Sequence, residues 1–399
     1  MLSFEQALQN LLDAATPPRT QEALPLLQAS GRVLAHDVLA DLDVPPADNS
    51  AMDGYALRVG DLVAGQAQSP ILPISQRIPA GSVPLPLQAG TAARIFTGAP
   101  IPSGADAVVM QEHCTAEGDA VRVNQLPQAG QNIRRAGEDI ARGSTVLQAG
   151  VLLGPAELGL AASLGVASLP VWQRLRVAVF FTGDELQAPG LPLAPGQIYN
   201  SNRYVLVSQL EALGCSVRDI GSVPDDLAAT RAALRRAAED SDLIITCGGV
   251  SVGEEDHVKA ALEAEGSLQS WRVAIRPGKP LAFGRVGEVP FIGLPGNPVS
   301  SFVTFQMLVR PYLRRLQGMR EVLPRRLPMR AAFATKKAVP VREFLRARCN
   351  AEGSLELFPQ QGSAVLSSCT WAEGLVDKAP DTLIEPGDIV SYIPFGALP

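Results

Sequence analysis

Apolar and polar positions fall into contrasting textures along the chain. Between Leu175 and about Leu316, short apolar runs alternate with stretches whose apolar positions recur at helical spacing. LRVAVFF, CSVRDIGSV and LIITC read as strands, and the last, Leu243 to Cys247, is β-branched enough to be buried on both faces. NSNRYVLVSQLEALG reads as a helix ended by Gly214, and LAATRAALRRAAED as one capped by Pro224-Asp225-Asp226. WRVAIRPGKP, LAFGRV and PFIGLPGNP add strand-like runs, and VSSFVTFQMLVRPYLRRL closes with a helix. Strands alternating with helices predict a parallel sheet covered on both faces.

The flanks differ. Ser3 to Ala15 reads as a helix, with Ser3 and Gln6 as a capping box and Phe4, Ala7, Leu8, Leu11 and Leu12 as one stripe. From Asp48 to Gln131 short strand-like pieces (ARIFTG, AVVMQE, AVRVN) are separated by Pro and Gly, the pattern of a small β module. From Pro324 onward the pattern is β again, as in a small barrel or sandwich. The simplest division has four modules: 1–47 with 132–172, an inserted 48–131, 173–320, and 321–399. The expected fold class is α/β plus β.

Composition narrows the function. A chain of 399 residues is too long for one core, and 36 Gly with 33 Pro suits many turns. A net charge of −6 argues against general nucleic-acid or membrane-surface binding. Cys114, Cys215, Cys247, Cys349 and Cys369 are scattered, as reduced thiols of a cytoplasmic protein would be, with no zinc or disulfide pattern. The N-terminus lacks a basic, apolar leader, and the longest apolar stretch, Val151 to Trp172, is interrupted by Pro, Gly and Glu157. No secretion signal or membrane span is expected.

Chemistry concentrates after the strand Leu243 to Cys247. Gly248 and Gly249 permit a sharp turn, and Ser251 and Gly253 lead to Glu254, Glu255 and Asp256 where a helix should start. That arrangement offers backbone N–H groups to an oxyanion. The adjacent carboxylates would repel it unless a hard cation such as Mg2+ is shared between them. Ligands of an open parallel sheet sit beyond the carboxyl ends of its strands. Asp184-Glu185, Asp225-Asp226, Arg276 to Lys279 and Pro295 to Pro298 should share that rim, and Gly296-Asn297-Pro298 opens a second helix. Acids, bases and two helix starts on one rim favour a metal-assisted reaction of a phosphate compound.

Plainer roles compete at each position. Asp225 and Asp226 suit helix caps, Glu254 and Glu255 complement a helix dipole, and Arg272 and Arg276 suit an exposed strand. Gly278 and Gly296 suit ordinary turns, and His36, His113 and His257 are isolated. The chain has no G-x-x-x-x-G-K-[ST], no full G-x-G-x-x-G after a strand, no H-E-x-x-H and no G-x-S-x-G. Kinase, dehydrogenase, metalloprotease and esterase readings therefore fall.

The segments DNSAMDGYA (48–56), RIFTGAP (94–100), GQNIRRAGEDI (130–140), TGDEL (182–186), GGVSVGEED (248–256), RPGKP (276–280) and GLPGNPVS (293–300) together resemble the MoeA family of molybdopterin molybdenumtransferases. They occur in the family's order over nearly the whole chain, and QQGSAVLSSCTWAEGLV resembles its last domain. The resemblance implies a homodimer of four-domain subunits around a MogA/MoaB-like three-layer α/β domain, with a C-terminal β-barrel. It implies an active cleft between that domain and the inserted domain of the other subunit. It further implies Mg2+-dependent insertion of molybdate into adenylylated molybdopterin, supplied by a MogA-type enzyme, with release of AMP.

By motif position, Asp53, Thr97 and Asp139 would face the cleft from one side. Glu185, Asp225 and Asp256 would line the other side and hold Mg2+, while Arg272, Arg276 and Lys279 would meet phosphate or molybdate. Thr182, Gly248, Gly249, Ser251, Gly253, Pro295, Gly296, Asn297 and Pro298 would form the adjoining cofactor-binding loops. Arg272 and Arg276 stand where the family commonly has Lys, which keeps the charge but withdraws a proton donor. Glu255 stands where an aromatic residue is common. Two other functions fit the same module: a gephyrin-like binding scaffold, and a MogA-type adenylyltransferase. The absence of an attached MogA-like domain counts against the first, and DNSAMDGYA with the extra β modules against the second.

Overall fold

The fold follows from how the apolar faces of the central strands are covered. The computed structural model describes residues 1–16, 20–63, 69–249 and 257–396. Ser251, Gly253 and Asp256, with Glu254 and Glu255, lie outside the described residues.

The N-terminal helix α1 is Phe4–Ala14. The α/β module then runs β1 (Arg176–Thr182), α2 (Ser201–Ala212), β2 (Ser216–Val223), α3 (Leu227–Ala238), β3 (Leu243–Cys247) and α4 (His257–Glu265). It continues through β4 (Gly266–Arg272), β5 (Pro280–Val286), β6 (Val289–Leu294) and α5 (Pro298–Thr304). A π-helical stretch, Phe305–Val309, joins α5 to α6 (Arg310–Leu316).

The six strands lie in the order β2-β1-β3-β6-β5-β4. β2, β1, β3 and β6 are parallel, as alternation predicts. β5 is antiparallel to both of its neighbours, which corrects the expectation of an all-parallel sheet. Val286 pairs with Val289, so only Gly287 and Glu288 connect β5 to β6. Two residues can close a hairpin but cannot make a crossover, and Gly287 supplies the positive φ of 55°.

Period-two burial decides which helices cover which face. Val177, Val179 and Phe181 of β1 join a core with Leu206 and Leu210 of α2 and with the α5–α6 helix. Ala178 and Phe180 point the other way, against Leu234 and Ala237 of α3 and Ala261 and Leu262 of α4. Phe180 and Phe181 are completely buried, and burial of each stabilises by roughly 1.5–3 kcal/mol.

The capping box of α1 forms as expected: Gln6 N–H donates to Ser3 Oγ at 3.1 Å and Ser3 N–H to Gln6 Oε1 at 3.0 Å. Although α1 precedes the first β segment in the chain, Phe4, Ala7 and Leu11 are buried in the core of the α/β module. Leu2 extends the contact by bridging to Val273.

The segment between α1 and β1 contains a six-stranded sheet. Its order is Ala107–Met110, Gly54–Leu57, Ala92–Ile95, Ile71–Ile78, Ala120–Val123 and Cys114–Glu117. Gln21–Pro25 pairs with Ser168–Trp172 on either side of it in sequence, so the chain leaves and returns around this sheet. The C-terminal sheet runs Ile275–Arg276, Arg342–Cys349, Gly374–Lys378, Ile389–Pro394, Leu327–Arg330, and Leu355–Leu357 also pairs with Arg342–Cys349. Its first strand belongs in sequence to the α/β module, because Ile275 and Arg276 pair in parallel with Arg342 and Glu343. The rim of the α/β sheet is thereby tied by backbone to the last module. No helix among the described residues is long and apolar enough to cross a membrane.

Candidate active site

A cleft of about 1110 Å³ opens at the carboxyl ends of β1, β3 and β6. This is where a doubly covered sheet leaves its strand ends and turns free for a ligand. Thr182, Glu185, Asp225, Gly248, Gly249, Arg276, Lys279, Pro295, Gly296, Asn297 and Pro298 all line it, eleven positions drawn from five separate sequence segments.

Acids stand on one wall. Gly183, at φ 140°, lets the Glu185 carboxylate fold back over the turn; a Cβ there would lie 2.5 Å from Glu185 Oε2. Asp226 is a helix cap, accepting the Ala229 N–H at 2.8 Å, and Asp184 accepts the Asp225 N–H at 3.1 Å. Capping therefore accounts for Asp226 and leaves the Asp225 carboxylate to the cleft. Among the described residues no three His, Cys, Asp or Glu side chains come together as a metal cage. Magnesium is commonly held by one or two carboxylates together with waters and substrate phosphates, so Glu185 and Asp225 fit it as a donor pair.

The floor is glycine and buried polar groups. Gly248 takes φ 99° and a Cβ would meet the Thr182 carbonyl at 2.9 Å; Gly249 takes φ 63° and a Cβ would press within 2.6 Å of Val258. Only glycine brings the backbone this close to β1. Thr182 Oγ1, Asn200 Nδ2 and Asn202 Oδ1 are buried without a hydrogen-bond partner among the described residues. A buried polar atom without a partner is costly, so a ligand that pairs with these atoms gains what the free protein forgoes. Asn202 also donates from Nδ2 to the Gly296 carbonyl at 2.7 Å, fixing the 295–298 loop against α2. Beneath that loop, Cys247 donates to the Pro295 carbonyl at 3.1 Å, and burial pushes its thiol up to about 11, which keeps it protonated and inert.

The second helix start is a weaker anion site than the sequence suggests. Pro298 has no N–H, and the Val299 N–H donates to the Ser363 carbonyl at 2.9 Å. That bond belongs to a wall missed from sequence: Gln361, Gly362, Ser363 and Ala364 of the last module close the cleft. Nothing in Gly-Ser-Ala announces chemistry, and only the resemblance of QQGSAVLSSC to a family motif pointed there. Asn200 and Asn202 at the start of α2 were likewise visible only as a helix start.

Arg276 and Lys279 are exposed on the arm between β4 and β5, and the Arg276 guanidinium lies 3.7 Å from the Glu343 carboxylate. Arg272 does not line the cleft: it ends β4 as an exposed residue whose carbonyl accepts the Leu2 N–H at 2.8 Å.

Three predicted site residues lie elsewhere in this chain. Asp53 and Thr97 are bonded to each other, with Asp53 Oδ1 accepting the Thr97 N–H at 2.7 Å and its hydroxyl at 2.8 Å. These bonds, with the nearby Arg94 cation, hold the Asp53 carboxyl below its ordinary value. Asp139 borders a shallow recess of about 330 Å³ with Pro45, Arg134 and Glu138. None of the three lines the large cleft of its own chain.

Comparison with known proteins covers the same ground from end to end. The model of the MoeA N-terminal region (domain I and II) matches residues 2–165. That of a probable molybdopterin binding domain matches 178–315, and that of the MoeA C-terminal region (domain IV) matches 328–395. The chain is 44% identical to the molybdopterin molybdenumtransferase of Haemophilus influenzae, the match covering 100% of both chains. It is 42% identical to that of Synechococcus elongatus over 92% of this chain and 93% of the other. The structure superposes on the molybdopterin biosynthesis moeA protein of Pyrococcus horikoshii OT3 with a TM-score of 0.86 at 28% identity, covering 99% and 100% of the two chains. With matches spanning all its modules and a full-length relative at this identity, the chain belongs to the MoeA family of molybdopterin molybdenumtransferases.

Proposed function

We propose that this chain inserts molybdate into molybdopterin presented as its adenylylated derivative, releasing AMP and the molybdenum cofactor. The observation that carries this reading is one rim on which two carboxylates, a glycine turn and two cations meet around a cleft of about 1110 Å³. Both reactants are anions. Arg276 and Lys279 offer fixed positive charge to molybdate or phosphate, and the Gly248-Gly249 turn brings backbone close to the bound group. Glu185 and Asp225 would hold Mg2+, which neutralises charge on the phosphates and on the departing AMP when bound. The unpartnered Thr182 and Asn200 atoms orient the substrate at the floor. Asp53 and Thr97 act on the cleft of a second subunit in a homodimer, and a MogA-type adenylyltransferase supplies the substrate.

The same reading retains the four modules at 1–47 with 132–172, 48–131, 173–320 and 321–399. The bridge from Ala331, next to the end strand Leu327–Arg330, to Leu355, on the strand that pairs with Arg342–Cys349, supports the closing of the C-terminal sheet as a small barrel.

The direct test incubates purified protein with adenylylated molybdopterin, molybdate and Mg2+, following AMP release and reconstitution of a cofactor-free molybdoenzyme. Both should occur, and both should fall on the order of 100-fold in Asp225→Ala, the scale of removing a charge-stabilising group. Transfer of AMP from ATP onto molybdopterin, with release of pyrophosphate and without molybdate, would favour the adenylyltransferase reading instead.

A further inference from the structure

Outside the cleft, one fully buried cation has a path to it. Lys378 is 1% exposed, and its Nζ donates to Glu343 Oε2 at 2.7 Å and to the Lys337 carbonyl at 3.1 Å. A buried ammonium needs its counter-charge, so that carboxylate oxygen is committed whether or not a ligand is present. The other oxygen, Oε1, faces the Arg276 guanidinium at 3.7 Å. The alignment is set by backbone: Arg276 lies directly opposite Glu343 in the parallel pair that joins the arm to the C-terminal sheet. Residues directly opposite in a sheet project to the same face. Neighbouring charges do not compete for Glu343, because Arg342 is bonded to Asp377 at 2.8 Å and to Glu5, and Arg326 to Asp377.

We propose that Glu343, held by the buried Lys378, is a positioning residue that fixes Arg276 by one edge and leaves its other edge to an anionic substrate. A guanidinium suits this because its five donors lie in a rigid fork with two usable edges. The C-terminal module thus orients a cation of the α/β rim through charge as well as backbone. This deepens the proposed function and rests on the cleft taking an anion there.

The test pairs a ligand-free readout with a binding readout. The variant Glu343→Gln/Lys378→Met removes both charges at nearly constant volume. Arg276 modification by phenylglyoxal, mapped by peptide mass spectrometry against Arg94 as internal reference, should speed up several-fold relative to wild type. In AMP binding followed by calorimetry, Arg276→Ala should weaken the wild-type chain about tenfold and the double variant no more than about twofold, a coupling expected of interacting residues. Glu343→Asp keeps the counter-charge of Lys378 while drawing the carboxylate back one methylene. Because this lengthens the 3.7 Å contact to Arg276, it should raise Arg276 modification part of the way towards the rate of the double variant, and it serves as the deciding variant if the double variant does not fold. Equal modification rates in folded proteins, or an equal cost of Arg276→Ala in both backgrounds, overturn the proposal. If Arg276 is released as expected but no variant or wild type binds AMP, the positioning role stands and the proposed substrate falls.

Discussion

Asp53 shows how an exposed carboxylate can be tuned without burial. Both donors from Thr97 fall on one oxygen, so the charged form is preferred and its carboxyl titrates below the ordinary range. A depressed folded-state pKa contributes stability above the unfolded carboxylate value of about 4 and loses it as pH falls through the folded value. At neutral pH Asp53 is therefore a fixed anion and no proton donor. Thr97→Val deletes the hydroxyl donor and keeps the backbone one. The Asp53 titration, followed by carboxyl carbon NMR, should move part of the way back up towards its ordinary value. An unmoved titration would show that the backbone N–H alone sets it.

The arm from β4 to β5 depends on one glycine. Gly278 has φ 101°, and a Cβ there would come within 2.4 Å of Thr304 Oγ1 on α5 and 3.2 Å of the Ser300 carbonyl. Gly278→Ala combines backbone strain with a clash against a fully buried threonine, and should cost about 1–3 kcal/mol in urea unfolding. Because Arg276 and Lys279 flank it, the same variant should lose anion affinity; full affinity with lowered stability would separate the arm's shape from its charges. Much of this region was legible from residue types. The Ser3–Gln6 box, the two faces of β1 and the Asp226 cap all follow from local periodicity and side-chain chemistry. The Gly287-Glu288 link was not read from the sequence: alternation of strands and helices suggested a crossover, and the pairing of Val286 with Val289 shows the two-residue hairpin that overrides it. Other features were not legible. That Ile275-Arg276 leaves its own sheet to pair with Arg342-Glu343 is decided by contacts between positions about 67 residues apart, which no local pattern encodes. The wall formed by Gln361 to Ala364 contributes mainly backbone and small side chains, so residue type carries no signal there.

The placement of Asp53, Thr97 and Asp139 outside the cleft sets a question about assembly. Within one chain the acids Glu185 and Asp225 and the cations Arg276 and Lys279 share a rim, whereas Asp53 and Thr97 form their own couple on the inserted sheet. If all belong to one reaction, a second chain must bring the couple to the rim. A two-fold dimer does this twice, each chain giving one part to its partner and receiving the same part in return. Complementation then follows by counting. Asp53→Ala and Glu185→Ala homodimers should each be nearly inactive, because both clefts of either contain the lesion. Unfolded and refolded together at equal amounts, about half the dimers are mixed, and each mixed dimer carries one doubly damaged cleft and one intact cleft. Activity should recover to about a quarter of wild type, and should not recover when the folded variants are mixed without exchange of subunits. Failure to recover after demonstrated exchange would place both residues' work within a single chain, whereas an active Asp53→Ala homodimer would remove Asp53 from the reaction.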